Sequence, residues 1–352
     1  MMRRKMRVSA VSDRRQAMTA RWSTWVVLGF STAWLSLGPA PARAGDGSAP
    51  NIYAIDSLTA AQARELVAAY PSKTHLWLNG LTALDAGTAE AIAAFTGHSM
   101  LLNGVTALDV DIATALTGGR PHELYLNGLT WLDTATARAL AASRGRRLHL
   151  NGLTRIDAAT AAILATYKGT LYLNGVSSLD AETAGALADF AGRDLDLLLR
   201  GLSRLDADAA KALFEFKGYS LFLTSLSTVD DEAATMIAAF KGRRLALGGL
   251  VRLSPGIATA IAANENVDGQ LPGIVAFESP DSVAIAEALA KRQGRLALLN
   301  LKRISPKTLR ALLRKSDIHL PPIGQLELIE EPDGTPAEDP ASQPRLPGPD
   351  ER

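Results

Sequence analysis

Five nearly identical phrases follow one another along this chain: LWLNGLTALD from Leu76, MLLNGVTALD from Met100, LYLNGLTWLD from Leu124, LHLNGLTRID from Leu148 and LYLNGVSSLD from Leu171. A period of this length restricts the chain to stacked supersecondary units, because a unit of about 24 residues cannot bury its apolar face alone and must cover it with its neighbours. With the glycine of Asn-Gly as the register mark, equivalent positions are Gly80, Gly104, Gly128, Gly152, Gly175, Gly201, Ser225 and Gly249, separated by 24, 24, 24, 23, 26, 24 and 24 residues. Eight units over 76–262 are thus in register. A degenerate unit at 52–70 precedes them and two follow, around 274–290 and at 296–313, so residues 45–320 read as a solenoid of about eleven repeats. The segment 263–273 (ANENVDGQLPG) reads as an insertion that breaks the period and protrudes.

Each unit divides into parts. Leu76-Trp77-Leu78 alternates inward, outward, inward, as a short strand does. Asn79-Gly80 turns the chain, and Leu81 and Leu84 return to the core. A helix then starts at a capping residue: Asp85, Asp109, Asp133, Asp157, Asp180, Asp206 and Asp230, then Ser254, Ser282 and Ser305. Pro255 and Pro306 stand at the first helical position, where proline is favoured. Gly97, Gly145, Gly169, Gly192, Gly218, Gly242 and Gly294 stand where a left-handed glycine would end the helix, beside cations such as Arg144, Lys168, Lys217, Lys241 and Arg292 in the last turn. Strand, turn and helix within 24 residues predict consecutive parallel strands with helices on the opposite face, an α/β solenoid. Eleven strands about 4.8 Å apart would span on the order of 50 Å. The competing arrangement makes Asn-Gly a hairpin turn between two short antiparallel strands.

The ends differ in composition. Residues 1–44 hold eight Lys or Arg and one acid, an apolar run from Trp22 to about Leu37, and an Ala42-x-Ala44 site. They read as a signal peptide cleaved after Ala44, which would make the mature protein secreted or periplasmic with no membrane span, the alternative being an uncleaved anchor. Without the leader, 29 basic and 35 acidic residues remain, a charge near −6. From Pro321 the chain is acidic and Pro-rich, with eight acids against two arginines, and from about 330 its composition is that of a disordered tail. The 27 cations and 27 anions of residues 45–320 give no basic footprint for nucleic acid. There is no cysteine, which excludes disulfides and thiol chemistry.

These residues resemble the leucine-rich repeat family, in its alanine-rich secreted bacterial variety with units of the form L-x-L-x-G-L-T-x-L-[DS]-x-x-x-A. The resemblance spans residues 51 to about 320. It implies a non-catalytic scaffold that binds protein or another ligand on its strand face. The family's usual inward asparagine, three residues after the second strand leucine, is replaced here by Leu81, Val105, Leu129, Leu153, Val176 and their equivalents. Asn79, Asn103, Asn127, Asn151 and Asn174 instead follow the strand directly, as a stacked amide ladder or as turn formers.

The outward strand position reads Trp77, Leu101, Tyr125, His149, Tyr172, Leu198, Phe222 and Ala246. Large apolar side chains on a face expected to meet solvent mark an interaction surface, although they also stabilise a sheet as cross-strand neighbours. A protein partner is expected on this stripe, with carbohydrate as the alternative because aromatic rings stack on sugars; a structural spacer of the cell envelope is a further reading. Serine at three positions of the aspartate column argues for capping over metal binding. The five histidines lack H-x-x-x-H spacing, and neither G-x-S-x-G nor a P-loop occurs. No catalytic residue, metal or cofactor is expected.

Overall fold

A computed structural model describes residues 55–69, 75–119, 121–190 and 196–331; the leader at 1–44 and the chain beyond 331 lie outside the described residues. Eight strands, β1 His75–Trp77, β2 Ser99–Leu101, β3 Glu123–Tyr125, β4 Arg147–His149, β5 Thr170–Tyr172, β6 Asp196–Leu198, β7 Ser220–Phe222 and β8 Arg244–Ala246, form one sheet in sequence order. Every pairing in it is parallel. Helices α1 Ala60–Ala69, α2 Ala86–Ala93, α3 Val110–Gly118, α4 Thr134–Ala141, α5 Ala158–Leu164, α6 Ala181–Ala188, α7 Ala207–Phe214, α8 Ala233–Ala239, α9 Pro255–Ala263, α10 Ser282–Ala290 and α11 Pro306–Leu312 pack side by side as the second layer. The fold is a leucine-rich-repeat-like α/β solenoid, not a stack of hairpins. Among the described residues no helix is long and apolar enough to cross a membrane.

The core runs the length of the stack between the layers. In the third full coil Leu124, Leu126, Leu129, Ala137 and Leu140 are buried, and every coil repeats the pattern. Each buried leucine contributes about 1.5–3 kcal/mol, and it does so only when the adjacent coils are present. The turn after each strand is closed by a backbone bond such as Leu129 N–H to Leu126 O (3.2 Å), and the same bond recurs at ten successive turns from Leu78/Leu81 to Leu298/Leu301. Its glycine answers a packing need. A Cβ on Gly128 would lie 2.4 Å from Asn103 O and 2.5 Å from Val105 O of the preceding turn, and Gly104, Gly152, Gly175 and Gly201 are equally crowded.

Six of the aspartates cap as the pattern requires. The Oδ1 atoms of Asp85, Asp109, Asp133, Asp157, Asp180 and Asp206 accept the N–H of the residue three further on at 2.7–2.8 Å, and Ser254 and Ser305 do the same through Oγ. These bonds hold the Asp85, Asp133, Asp157 and Asp180 carboxyls below their ordinary range. Two expected caps differ. Asp230 bonds Ala233 N–H through its backbone oxygen, so α8 starts after a tighter turn with Glu232 at its N-cap. Ser282 is already inside α10, whose N-cap is Asp281.

Helix ends also differ from expectation. Gly294 alone among the described glycines has a positive φ, 71°. Gly169, Gly218 and Gly242 instead lie against the rings of Tyr167, Phe216 and Phe240, where a Cβ would come within 2.4–2.5 Å. Those rings belong to a buried column at the helix ends, formed by Phe95, Tyr167, Phe190, Phe216 and Phe240, that runs on through Asn264, Arg292 and Lys315.

Segment 263–273 does not break the solenoid. Val267 bridges Leu245, Gln270 bridges Ala297, and Leu271-Pro272-Gly273-Ile274 makes the same turn as Leu-Asn-Gly-Leu, with Leu271 and Ile274 buried. Proline in place of asparagine, and two additional residues between Val267 and Leu271, hide this copy in the sequence. The stack continues past residue 313: β11 Ile318–His319 pairs with β9 Leu296–Ala297, and β12 Glu327–Leu328, beyond residue 320, pairs with β10 Arg303–Ile304.

Candidate functional site

The strand face carries two outward columns because each strand exposes the residues on both sides of its first leucine. The inner column, anticipated from the sequence, is Trp77, Leu101, Tyr125, His149, Tyr172, Leu198, Phe222 and Ala246, adjacent in register from strand to strand. It is less open than expected. Leu101 (8%), His149 (7%), Leu198 (4%) and Ala246 (5%) are buried, which leaves Trp77, Tyr125, Tyr172 and Phe222 half-buried. The cause is the strand spacing. Rings one strand apart can lie flat on each other, and the His149 ring stacks on Tyr125 at 3.8 Å and on Tyr172 at 3.9 Å, with interplanar angles of 8° and 18°. The stripe therefore presents ring edges from a prepacked stack.

The second column, His75, Ser99, Glu123, Arg147 and Thr170, was not singled out in the sequence, yet it holds the charged core of the face. The buried Glu123 carboxylate pairs with Arg147 and accepts hydrogen bonds from Ser99 Oγ (3.0 Å) and Tyr125 Oη (2.8 Å). His98 Nε2 is 3.6 Å from the same carboxylate. Burial pushes the Glu123 carboxyl up, but the hydrogen bonds from Tyr125, Arg147 and Ser99, with the Arg147 charge, outweigh it and hold the group at about 2. The Tyr125 phenol is pushed up to about 12 by burial and by its bond to Glu123. Burial lowers the His149 imidazole to about 4, against the Glu123 charge and with that of Arg147, so the ring is neutral at pH 7. Among the described residues its buried Nε2 has no hydrogen-bond partner. Opposite charges one period apart, at 123 and 147, were the sequence signal for this network.

The asparagines bond from coil to coil. The Oδ1 atoms of Asn79, Asn103, Asn127 and Asn151 accept the backbone N–H of Asn103, Asn127, Asn151 and Asn174, and Asn174 Oδ1 accepts that of Arg200, all at 3.0–3.2 Å. This is a ladder at the position directly after the strand. Asp85, Asp109, Asp133, Asp157 and Asp180 are occupied as helix caps on the far side of the turn. The rings of His75, His98 and His122 adjoin at 5.3–5.7 Å on the rim of the face, a proximity that their spacing did not suggest. Among the described residues no group of three His, Asp or Glu is placed to hold a metal ion.

At the other end of the face the surface becomes cationic. Phe222 lies under two guanidinium groups, those of Arg244 (5.2 Å) and Arg200 (5.9 Å), and Tyr219 under that of Arg243 (5.1 Å). Tyr219, Phe222, Arg243 and Arg244 border a cleft of about 710 Å³ that extends to Arg292 and Arg295.

No protein-family model matches the chain, and no curated protein matches it. Among solved structures, it is similar to one titled as the crystal structure of a TLR13–ssRNA13 complex, with 17% identity and a TM-score of 0.42. That match covers 68% of this chain and 34% of the other, so the chain spans about a third of the length of that structure's chain.

Proposed function

We propose that this protein is a non-catalytic, extracytoplasmic binding scaffold of the leucine-rich repeat type that holds a protein partner on its strand face. The observation that carries this reading is the Tyr125–His149–Tyr172 stack, seated against the Glu123–Arg147 pair. Aromatic groups already fixed in place lose little entropy on binding and are the residues on which interfaces concentrate their energy. Trp77, Tyr125, Tyr172 and Phe222 supply half-exposed anchors along one line, and Leu101, His149 and Leu198 alternate with them in the same column. A protein is favoured over carbohydrate because the carbonyl oxygens of the asparagine ladder, the polar groups best placed to read sugar hydroxyls, already accept backbone hydrogen bonds. The basic, then apolar leader ending at Ala44 supports an extracytoplasmic site of action.

The test is a photo-cross-linking amino acid at Tyr172 in the native cell envelope, with a control at Trp131, which is 63% exposed and off the strand columns. A discrete protein adduct is expected from position 172 alone. It should disappear when Trp77 and Tyr125 are replaced by alanine in a chain that keeps its circular dichroism. Equal labelling from both positions would refute partner binding by this face.

A further inference from the structure

The eight-stranded sheet ends at β8, and the next coil explains why. Between its bridges to Leu245 and to Ala297, the strand segment of this coil runs through Asp268 and Gly269, two residues more than the regular L-x-L allows. The bulge separates β8 from β9 and opens the cleft of about 710 Å³. Its walls are strongly cationic. Arg292 is 7% exposed and donates to the carbonyls of Ile261, Asn264 and Val267, with no carboxylate partner among the described residues. Arg244 is neutralised by Asp268 at 2.6 Å. Arg243 and Arg295 are exposed and form no ion pair among the described residues; one lies over Tyr219 and the other donates to His319 Nδ1. The lining sets two carboxylates, Asp268 and Glu265, against four guanidinium groups. With four guanidinium groups against two carboxylates, and Arg292 buried where charge is screened weakly, the cleft has a positive potential.

We propose that this cleft is a carboxylate-binding site for an acidic peptide segment, with Arg243 and Arg295 reaching the ligand from the coils on either side of Asp268. Planar guanidinium groups bind carboxylates through paired hydrogen bonds. The opposing Glu265 and the neutral remainder of the solenoid disfavour a dense polyanion such as nucleic acid. Two sources supply this chemistry: a separate acidic protein segment, and this chain's own residues 332–352, which hold five acids and two arginines. Twenty-one residues reach at most about 70 Å, several times the roughly 15 Å that separates neighbouring coils three apart. The site shares only Phe222 with the aromatic face, so it can fail while the reading of that face stands.

Binding of fluorescein-labelled hexaglutamate, followed by anisotropy, tests the proposal on the full chain and on a full chain carrying Asp333→Asn, Glu338→Gln, Asp339→Asn, Asp350→Asn and Glu351→Gln. Saturable binding to the amide-tail chain is expected. The Arg243→Ala/Arg295→Ala double variant should weaken it on the order of tenfold, Glu265→Gln should strengthen it, and added salt should weaken it. All three residues are exposed, so the fold should persist in these variants. Tighter binding to the amide-tail chain than to the natural one makes the chain's own tail the occupant, and equal binding makes it a separate acidic segment. No saturable binding by either chain, or binding indifferent to Arg243 and Arg295, would overturn the proposal.

Discussion

Replacement of His149 by phenylalanine should make the protein more stable, and by an amount that grows as the pH falls. The ring sits between Tyr125 and Tyr172 at 3.8 and 3.9 Å, and phenylalanine preserves that stack while removing a buried Nε2 that has no partner. Leaving such an atom unsatisfied costs about 1–3 kcal/mol. The pH dependence follows from the imidazole, which burial lowers to about 4 in the folded chain against 6.5 when unfolded. Between these values the unfolded chain binds the additional proton, so stability rises with pH across that window and falls as the solution is acidified. From pH 7.5 to pH 5 the loss works out at about 2 kcal/mol, with little further loss from this group below pH 4. Glu123, held at about 2, remains ionised in the folded chain throughout that range, and all other groups are common to both proteins. Urea unfolding of parent and His149→Phe at pH 7.5, 6 and 5, followed by circular dichroism, measures the difference. Parallel pH profiles would show that His149 is not buried neutral in the stack.

Five further substitutions probe the scaffold, each read by chemical denaturation. Asn127→Ala should cost about 1–2 kcal/mol, since it strips the Asn151 N–H of its acceptor and interrupts the ladder. Gly152→Ala should cost more than about 3 kcal/mol because the new Cβ would lie 2.2 Å from Asn127 O, whereas Gly185→Ala inside α6 meets only Ala212 Cβ at 3.8 Å and should gain about 0.5–1 kcal/mol. Asp157→Ala should cost about 1 kcal/mol through the lost cap, and Asp230→Ala, whose side chain caps nothing, should be close to neutral.

The strands, turns and caps were legible because each rests on contacts that recur at one interval. Leu124 and Leu126 alternate, Asp133 sits three residues before the N–H that it caps, and both patterns repeat at 24. Left-handed backbone was the reason expected for the helix-end glycines, and Gly294 alone of them bears it out among the described residues; Gly218 is required by the Phe216 ring two residues before it. The turn glycine Gly128 is required by the carbonyls of Asn103 and Val105 a full period earlier, and of the two distances that one spans coils. No single unit contains it; it exists only once coils stack. The strand and turn of the unit around 274–290 read as an insertion because Asp268 and Gly269 stretch the strand signal and proline replaces asparagine in Leu271-Pro272-Gly273-Ile274. On the strand face, the residue between the leucines was visible as a column, but its depth was not, since burial of His149 depends on the rings of the neighbouring coils. The Glu123–Arg147 pair was written in the sequence as opposite charges 24 residues apart, in the column that a single strand makes look like mere solvent-facing polarity.

Regularity and its failure divide the molecule's work between two places. Where the period holds, from β3 to β5, equal strand spacing stacks rings of different chemistry flat on one another and fixes an aromatic edge that needs no rearrangement to bind. Where it fails, after β8, the buried helix-end column changes character in the same coils. Phe216 and Phe240 give way to Asn264, Arg292 and Lys315, whose heads donate to backbone carbonyls of the preceding coil: Asn264 to Phe240 O at 2.9 Å, Arg292 to Ile261 O at 2.6 Å and Lys315 to Arg292 O at 2.7 Å. Carbonyls in the last turn of a helix have no intrahelical partner, and buried carbonyls require donors. Long cations reach them where a phenyl ring would leave them bare. Their charge is the by-product of that repair, and it is what gives the cleft beside them its positive potential.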